Sequence, residues 1–300
     1  MNPMTYALFV GCNIPARVSQ YEDSTVAVFR KLGIALQYIP EFNCCGYPVR
    51  NQNQEAFVAS AARNIALAEQ SGFDMLVMCK CCFGNLKMAQ YLLDKDKILN
   101  KKIQKILSKE DLTYQGTLQI KHLLSVLYHD VGIETIKKHI TNPFQNISIA
   151  ASYGCHALRP SSVTQFDNPV SPRIFDHLVE ATGAHSVEWA RKTDCCGAPL
   201  LGINDNLSIE MMTRKVTDAR GAGADYICTA CPFTHIQLDL IQKQVWKSRN
   251  DSQTLAPILY PQLLGLSMGI DGQTLGIEKN QLDLSDIHLF MTEEYEPASQ

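Results

Sequence analysis

The eleven cysteines of this 300-residue chain fall into two copies of one pattern, and that repeat constrains the fold more than any other feature. The first half reads Gly11-Cys12, then Cys44-Cys45-Gly46-Tyr47-Pro48, then Cys79-Lys80-Cys81-Cys82. The second reads Gly154-Cys155, then Cys195-Cys196-Gly197-Ala198-Pro199, then Cys228-Thr229-Ala230-Cys231. The lone cysteine and the pair are separated by 31 residues in the first copy (13 to 43) and by 39 in the second (156 to 194). Other landmarks repeat with them: Gly72-Phe73-Asp74 resembles Gly223-Ala224-Asp225, and Leu123-Leu124-Ser125-Val126 has an echo in Leu263-Leu264-Gly265-Leu266. A unit written twice predicts two similar structural units.

The hydrophobic pattern gives the same order in each half. Short apolar runs at 6–10 and 147–153 read as strands, each ending at Gly-Cys. Helical patterns follow at 23–32 and 172–182, closed by Gly33 and Gly183. Second strands are expected at 35–39 and 186–189, then the Cys-Cys-Gly turn. Helices at 54–70 and 206–219 lead to third strands at 74–78 and 225–229. Alternating strand and helix predicts an α/β fold with parallel βαβ units. In such sheets the loops beyond the strands' carboxyl ends share one edge, where ligands bind. All three cysteine groups of each half fall in or near those loops. Asn142-Pro143 breaks a helical pattern, so the expected domains are 1–145 and 146–300. Residues 95–109 read as a solvated, lysine-rich helix, and 271–300 as an acidic arm of the second domain.

Composition limits the function. A net charge of −3 and a pI near 6.2 give no basic face for nucleic acid. No apolar stretch reaches the length of a transmembrane helix. The N-terminal residues lack the regions of a secretory signal, which makes a cytoplasmic protein the expectation. A disulfide framework suits small secreted chains rather than one like this, so the clustered cysteines point to metal or redox chemistry. Thiolate is a soft ligand for iron–sulfur clusters and zinc alike. A lone cysteine, a vicinal pair and a final pair supply one thiolate more than tetrahedral zinc needs, which favours a multi-iron cluster and leaves a zinc-stabilised scaffold as the alternative.

Cys-x31-Cys-Cys-Gly-x-Pro followed by Cys-x-x-Cys resembles the cysteine-rich CCG domain, and two copies along the chain resemble the B subunit of heterodisulfide reductase. The segment Tyr153-Gly154-Cys155-His156-Ala157-Leu158-Arg159-Pro160 supports the resemblance, as does Asp167-Asn168-Pro169. It implies two similar parallel-sheet domains, each holding a noncubane [4Fe-4S] cluster on five cysteines, with the clusters near the domain interface. The implied activity is oxidoreduction of a disulfide or related sulfur–sulfur bond. The implied partners are a ferredoxin-like iron–sulfur subunit and a flavin subunit, with membrane association through partners. In sulfur-oxidation relatives a lipoate-binding protein carries the sulfur. Related CCG subunits instead pass electrons towards quinone without catalysing the bond change themselves.

Transferred residue by residue, the first cluster falls to Cys12, Cys44, Cys45, Cys79 and Cys82, with Cys81 as an extra thiol. The second departs from the pattern. Asp74 precedes Cys79 by five residues and Asp225 precedes Cys231 by six. That offset sets Cys231 opposite Cys79 and Thr234 opposite Cys82, with Cys228 inside the strand. Two readings stay open: Cys228 reaches in as a ligand, or the second cluster is altered and held by Cys155, Cys195, Cys196 and Cys231 alone. His156, beside a ligand, is the candidate proton donor to a departing thiolate. His235 and Arg159 are secondary candidates, and His122 reads as structural.

Overall fold

The structure is a computed structural model and describes residues 4–249 and 254–291. It has two four-stranded sheets, β2-β1-β3-β4 in the first half and β6-β5-β7-β8 in the second, and every pairing is parallel. The strands are β1 Thr5–Phe9, β2 Ala35–Tyr38, β3 Met75–Val77, β4 Ile120–His122, β5 Ser148–Ser152, β6 His185–Ser186, β7 Tyr226–Thr229 and β8 Pro257–Leu259. The central strands β1 and β5 are covered on both faces, so Leu8 and Phe9, like Ile149 and Ala150, are buried whichever way they point. The fold class is thus the α/β arrangement of two similar parallel sheets expected from the repeat.

Local chemistry sets the element ends. Asn53 and Asn204 cap the helices Gln54–Ser71 and Asp205–Gly221 by accepting from Ala56 N and Leu207 N. Gly72, at φ +75°, closes the first of these in the left-handed region. The helix Lys97–Leu107 is capped by Asp96 and buries Leu99, Ile103 and Leu107, so the lysine-rich segment is amphipathic rather than fully solvated. Two differences from expectation concern strands. Segment 186–189 is a strand only over His185–Ser186, with Val187 N making a last bond to Ile149 O at 3.0 Å before the chain runs on to the cysteine pair. The fourth strands β4 and β8 were not legible, being three residues each, with β8 starting on a proline.

The halves interlock reciprocally. The helix Tyr260–Ser267, which follows β8, packs on the first half's Ser19–Lys31, while Leu123–Ser125, which follows β4, packs on the second half's Ile174–Glu180. Val77 pairs with His122 and Thr229 with Leu259, so Leu123 is equivalent to Tyr260. The sequence echo of Leu123 in Leu263 is therefore displaced by about one helical turn. Val28, Phe29, Leu263 and Leu264 are all buried in one core that runs through both halves. Each such side chain contributes about 1.5–3 kcal/mol by leaving water. Residues 271–291 continue the lock: Asn280 accepts from Gln20 at 3.0 Å, and Lys279 meets Asp23 at 2.6 Å. The rest of the acidic arm, 292–300, lies outside the described residues.

Candidate metal centre

Each half builds its cysteine groups with the same backbone devices. After β1 and β5 come Gly11 and Gly154, at φ +68° and +69°, which turn the chain sharply and project Cys12 and Cys155 beyond the sheet edge. A β-carbon on Gly11 would also come within 3.2 Å of Cys82 Sγ. Gly46 and Gly197 follow the vicinal pairs at φ +81° and +83°. A β-carbon at either would strike the next helix, at Phe57 O (2.8 Å) or Ser208 O (2.5 Å). These glycines therefore let the cysteine pair lie flat on that helix. Cys79 and Cys231 each sit immediately before a helix, Lys80–Lys95 and Pro232–Ile236, in the same relation to β3 and β7. Because β7 has one residue more than β3, the Asp-to-Cys distances differ by one.

The sulfurs of the first half form a chain of contacts, Cys12 to Cys44 to Cys45 to Cys82 to Cys79. All five line one pocket of about 240 Å³, together with Cys81, Tyr47 and Phe233. The neighbouring thiols of Cys12 and Cys45, with the N–H groups of Gly46 and Tyr47, favour the Cys44 thiolate and hold it well below the usual thiol range. Thiol donors from Cys231, Cys81 and Cys82 likewise hold Cys79 well below the usual thiol range. Their neighbours move the other way: Cys45 is pushed up by Cys44, and Cys82 by Cys45, Cys79 and burial. A thiolate beside another is disfavoured by like charge, so a metal would be needed to hold all five as thiolates.

The second set is smaller. Cys155 contacts Cys195, Cys195 contacts Cys196, and the Thr234 hydroxyl donates to Cys196 Sγ at 3.4 Å. Gly197 N also points at Cys195 Sγ, at 3.4 Å. The space among these residues is only about 20 Å³. Cys231 lines it but turns toward the first half, where its Sγ lies 3.9 Å from Cys79 Sγ. The sulfurs of Cys79, Cys81 and Cys231, all buried, lie within 4.8 Å of one another, a group suited to a soft metal. Cys228 lies within β7, fully buried, opposite Ala151 and Ile258.

His156 stands between the two sets. Its Nδ1 is 3.4 Å from Cys155 Sγ and 3.5 Å from Cys81 Sγ, and its Nε2 is 3.2 Å from the Tyr47 hydroxyl. Burial lowers its pKa. The other candidates are placed differently. Arg159 is exposed and reaches Thr193 Oγ1 at 3.4 Å. His235 is enclosed, with Nδ1 3.3 Å from Thr229 Oγ1. His122 joins the halves, its Nε2 3.2 Å from Ala230 O.

Two lysines at the site gave no signal in the sequence, where lysine reads as surface. Lys80 is buried between the halves; its ammonium donates to Ser152 O at 2.8 Å and lies 4.7 Å from the Phe175 ring centre. Burial lowers its pKa to about 8, against the pull of the Cys231 and Cys228 sulfurs. Lys215 is fully buried behind the second cysteine pair, donating to Arg191 O at 2.6 Å and Asp194 O at 3.1 Å. Asn64 holds the corresponding loop of the first half, donating to Cys44 O at 3.2 Å and accepting from Asn43 N at 2.9 Å.

A sequence profile described as a cysteine-rich domain, CCG, matches residues 6–87 and again 149–239. The B subunit of ferredoxin:CoB-CoM heterodisulfide reductase from Methanosarcina mazei is 36% identical over 279 residues, 91% of this chain and 92% of that one. The membrane anchor subunit of 8-methylmenaquinol:fumarate reductase from Wolinella succinogenes is 30% identical over 283 residues, 94% of this chain and 98% of that one. Among solved structures, a hypothetical protein from Helicobacter pylori superposes with a TM-score of 0.74 at 18% identity, covering 94% of this chain. This chain spans 52% of that protein's length, and the likeness speaks for the fold alone. Among the described residues, no helix is long and apolar enough to cross a membrane.

Proposed function

This chain belongs to the tandem CCG cysteine-rich family that includes heterodisulfide reductase B subunits, and from that membership we propose that it is the iron–sulfur catalytic subunit of a heterodisulfide-reductase-like complex. The reaction is R–S–S–R′ + 2 e⁻ + 2 H⁺ giving R–SH and R′–SH, or its reverse. In the forward direction the sulfur–sulfur bond breaks, both sulfurs are reduced, and a partner subunit supplies the electrons. The observation that carries the reading is the single pocket of about 240 Å³ lined by Cys12, Cys44, Cys45, Cys79 and Cys82, larger than one zinc ion needs.

Those five residues would hold a noncubane [4Fe-4S] cluster. Cys155, Cys195, Cys196 and Cys231 would hold a second [4Fe-4S] group of altered coordination, with Thr234 where a thiolate is expected. Bound there, such clusters supply one-electron transfer and iron sites that accept substrate sulfur. The chain's own residues provide the surroundings. Tyr47 and Phe233 wall the first pocket, and His156, in contact with Cys155, Cys81 and Tyr47, would hold the proton for a departing thiolate. We take 1–145 and 146–300 as the two domains, with a cytoplasmic location. The proposed partners are a ferredoxin-like subunit, a flavin subunit and, for a sulfur-oxidation complex, a lipoate-binding protein.

A second reading, electron transfer towards quinone without bond chemistry, is favoured by the narrow space of about 20 Å³ at the second set and by the relative from a menaquinol:fumarate reductase. Electron paramagnetic resonance of the anaerobically purified chain separates them. An oxidised-cluster signal that changes on adding thiol supports the catalytic reading; a signal indifferent to thiol supports electron transfer. Colourless protein with stoichiometric zinc rejects both in favour of a zinc-stabilised scaffold.

A further inference from the structure

The first half has one cysteine beyond the five assigned above to its site, and the second half, with Cys228 inside β7, has four around its own. Six sulfurs of the first half, from Cys12, Cys44, Cys45, Cys79, Cys81 and Cys82, gather near the boundary with four of the second, from Cys155, Cys195, Cys196 and Cys231. Taking the iron–sulfur reading above as its basis, we propose that Cys81 crosses the domain boundary and supplies the missing fifth thiolate of the second site, in place of Thr234.

The geometry favours Cys81 for three independent reasons. Its sulfur lies within 4.8 Å of Cys231 Sγ, a member of the second set. It also lies 3.5 Å from His156 Nδ1, which is itself 3.4 Å from Cys155 Sγ. And Cys81 lines the space enclosed by Cys155, Cys195, Cys196 and Thr234. The direction follows from its place on the helix. Cys79 immediately precedes the helix Lys80–Lys95, and Cys81 and Cys82 fall in its first turn, where neighbouring positions are about 100° apart around the axis. Cys82 therefore packs within its own half, against Cys45 and Gly11, while Cys81 borders the first pocket and also reaches the second space, across the boundary. Gly84, one turn on, lets this helix lie directly on the His156 backbone, which brings Cys81 within reach.

Cys228 is the competing donor, and its position is unsuitable. It sits within β7, three residues before Cys231, among the buried residues of the common core. The side chains enclosing the second space include Cys81 and do not include Cys228. Thr234 is in place but offers a neutral hydroxyl, a poor substitute for thiolate on iron. Binding iron, the Cys81 thiol would give up its proton to solvent, as every thiol ligand does.

The test uses the full chain, loaded with iron and purified anaerobically, in four forms: wild type, Cys81→Ala, Cys228→Ala and Cys81→Ala/Thr234→Cys. Iron and acid-labile sulfide per chain are measured with the paramagnetic resonance spectrum of each. The expected result is loss of about half the iron and one of two signals in Cys81→Ala. Cys228→Ala should retain both signals, and the double variant should regain the lost one. Both signals and full iron in Cys81→Ala overturn the inference while leaving the cluster reading intact. A double variant no better than the single one overturns the equivalence of positions 81 and 234. A wild-type chain with one signal overturns the crossed ligand alone; one without iron overturns the cluster reading itself. Should Cys81→Ala fail to fold, an anaerobic crystal structure of the loaded wild type decides, since Cys81 Sγ unbound, or bound in the first site, rejects the proposal.

Discussion

Gly84 lies so close to His156 that a β-carbon on the glycine would overlap the histidine carbonyl oxygen. At this point, beside the sulfurs, the two halves therefore meet backbone to backbone.

Gly84→Ala should for that reason be destabilising, although replacing a helical glycine by alanine ordinarily stabilises by about 0.5–1 kcal/mol. Forcing the helix away from His156 costs about 1–3 kcal/mol as overpacking. It also widens the gap between Cys81 and Cys155. Gly221, which ends a helix with nothing within 4 Å of its added β-carbon, is the control. Thermal melting should show a lower midpoint for Gly84→Ala and an unchanged or raised one for Gly221→Ala. Equal midpoints for both would show that the contact is soft.

Lys80 places a cation between the halves, where Ser152 O and the Phe175 ring receive it. Its charge favours extra negative charge on nearby sulfur-bound metal. Lys80→Met keeps the bulk, removes the charge and leaves the Ser152 carbonyl without that donor, at about 1–3 kcal/mol. Losing a nearby positive charge makes reduction harder, by tens of millivolts for an interaction on the order of 1 kcal/mol. A potentiometric titration followed by paramagnetic resonance should show one potential shifted downward. An unshifted pair of potentials would mean that the ammonium is electrostatically silent.

The cysteine repeat was legible because a loop's position at the end of a strand survives whatever packs around it. The offset of one residue between Asp74-to-Cys79 and Asp225-to-Cys231 is the extra residue of β7, and it could be counted in the chain. What was not legible depends on the second half being present. Cys81 looks redundant until its helix is rotated against His156. Lys80 and Lys215 look like solvated charges, as nearly all lysines are, until the opposite domain or the next loop covers them. The exchange of the helices after β4 and β8 is likewise non-local, and nothing in either helix's own sequence announces which half it will cover.

His122 makes the fold sensitive to acid. Its Nδ1 accepts from Leu124 N at 3.2 Å and its Nε2 faces Ala230 O at 3.2 Å, so only the neutral ring with hydrogen on Nε2 satisfies both. Burial lowers its pKa to about 3. Between pH about 6.5, the unfolded value, and about 3, the unfolded state binds a proton that the folded state refuses. Stability from this group is therefore full above pH about 6.5 and falls with acid, by up to about 1.4 kcal/mol per pH unit. His122→Asn, which keeps an acceptor for Leu124 N, should melt with a flatter dependence over that window. A slope equal to the wild type's would assign the acid sensitivity to other groups.

Asn64 and Lys215 tie down corresponding loops, and they offer a way to disturb each site alone. Asn64 bridges Asn43, Cys44 and Ser60, and Lys215 bridges Arg191 and Asp194. Asn64→Ala leaves the Asn43 N–H without its acceptor, and Lys215→Met leaves the Asp194 carbonyl without its lysine donor, at about 1–3 kcal/mol for each group. Lys215→Met also withdraws the cation lying 4.7 Å from the Trp189 ring centre, behind Cys195 and Cys196. If the two cysteine sets hold separate clusters, Asn64→Ala should broaden or abolish one resonance signal and Lys215→Met the other. Each variant should keep the untouched half's signal and lose no more than the corresponding iron. The contacts among Cys79, Cys81 and Cys231 set the alternative outcome, because sulfurs that close could couple the sets into one centre. In that case either substitution would alter both signals together, and the two halves would have to be treated as a single metal site.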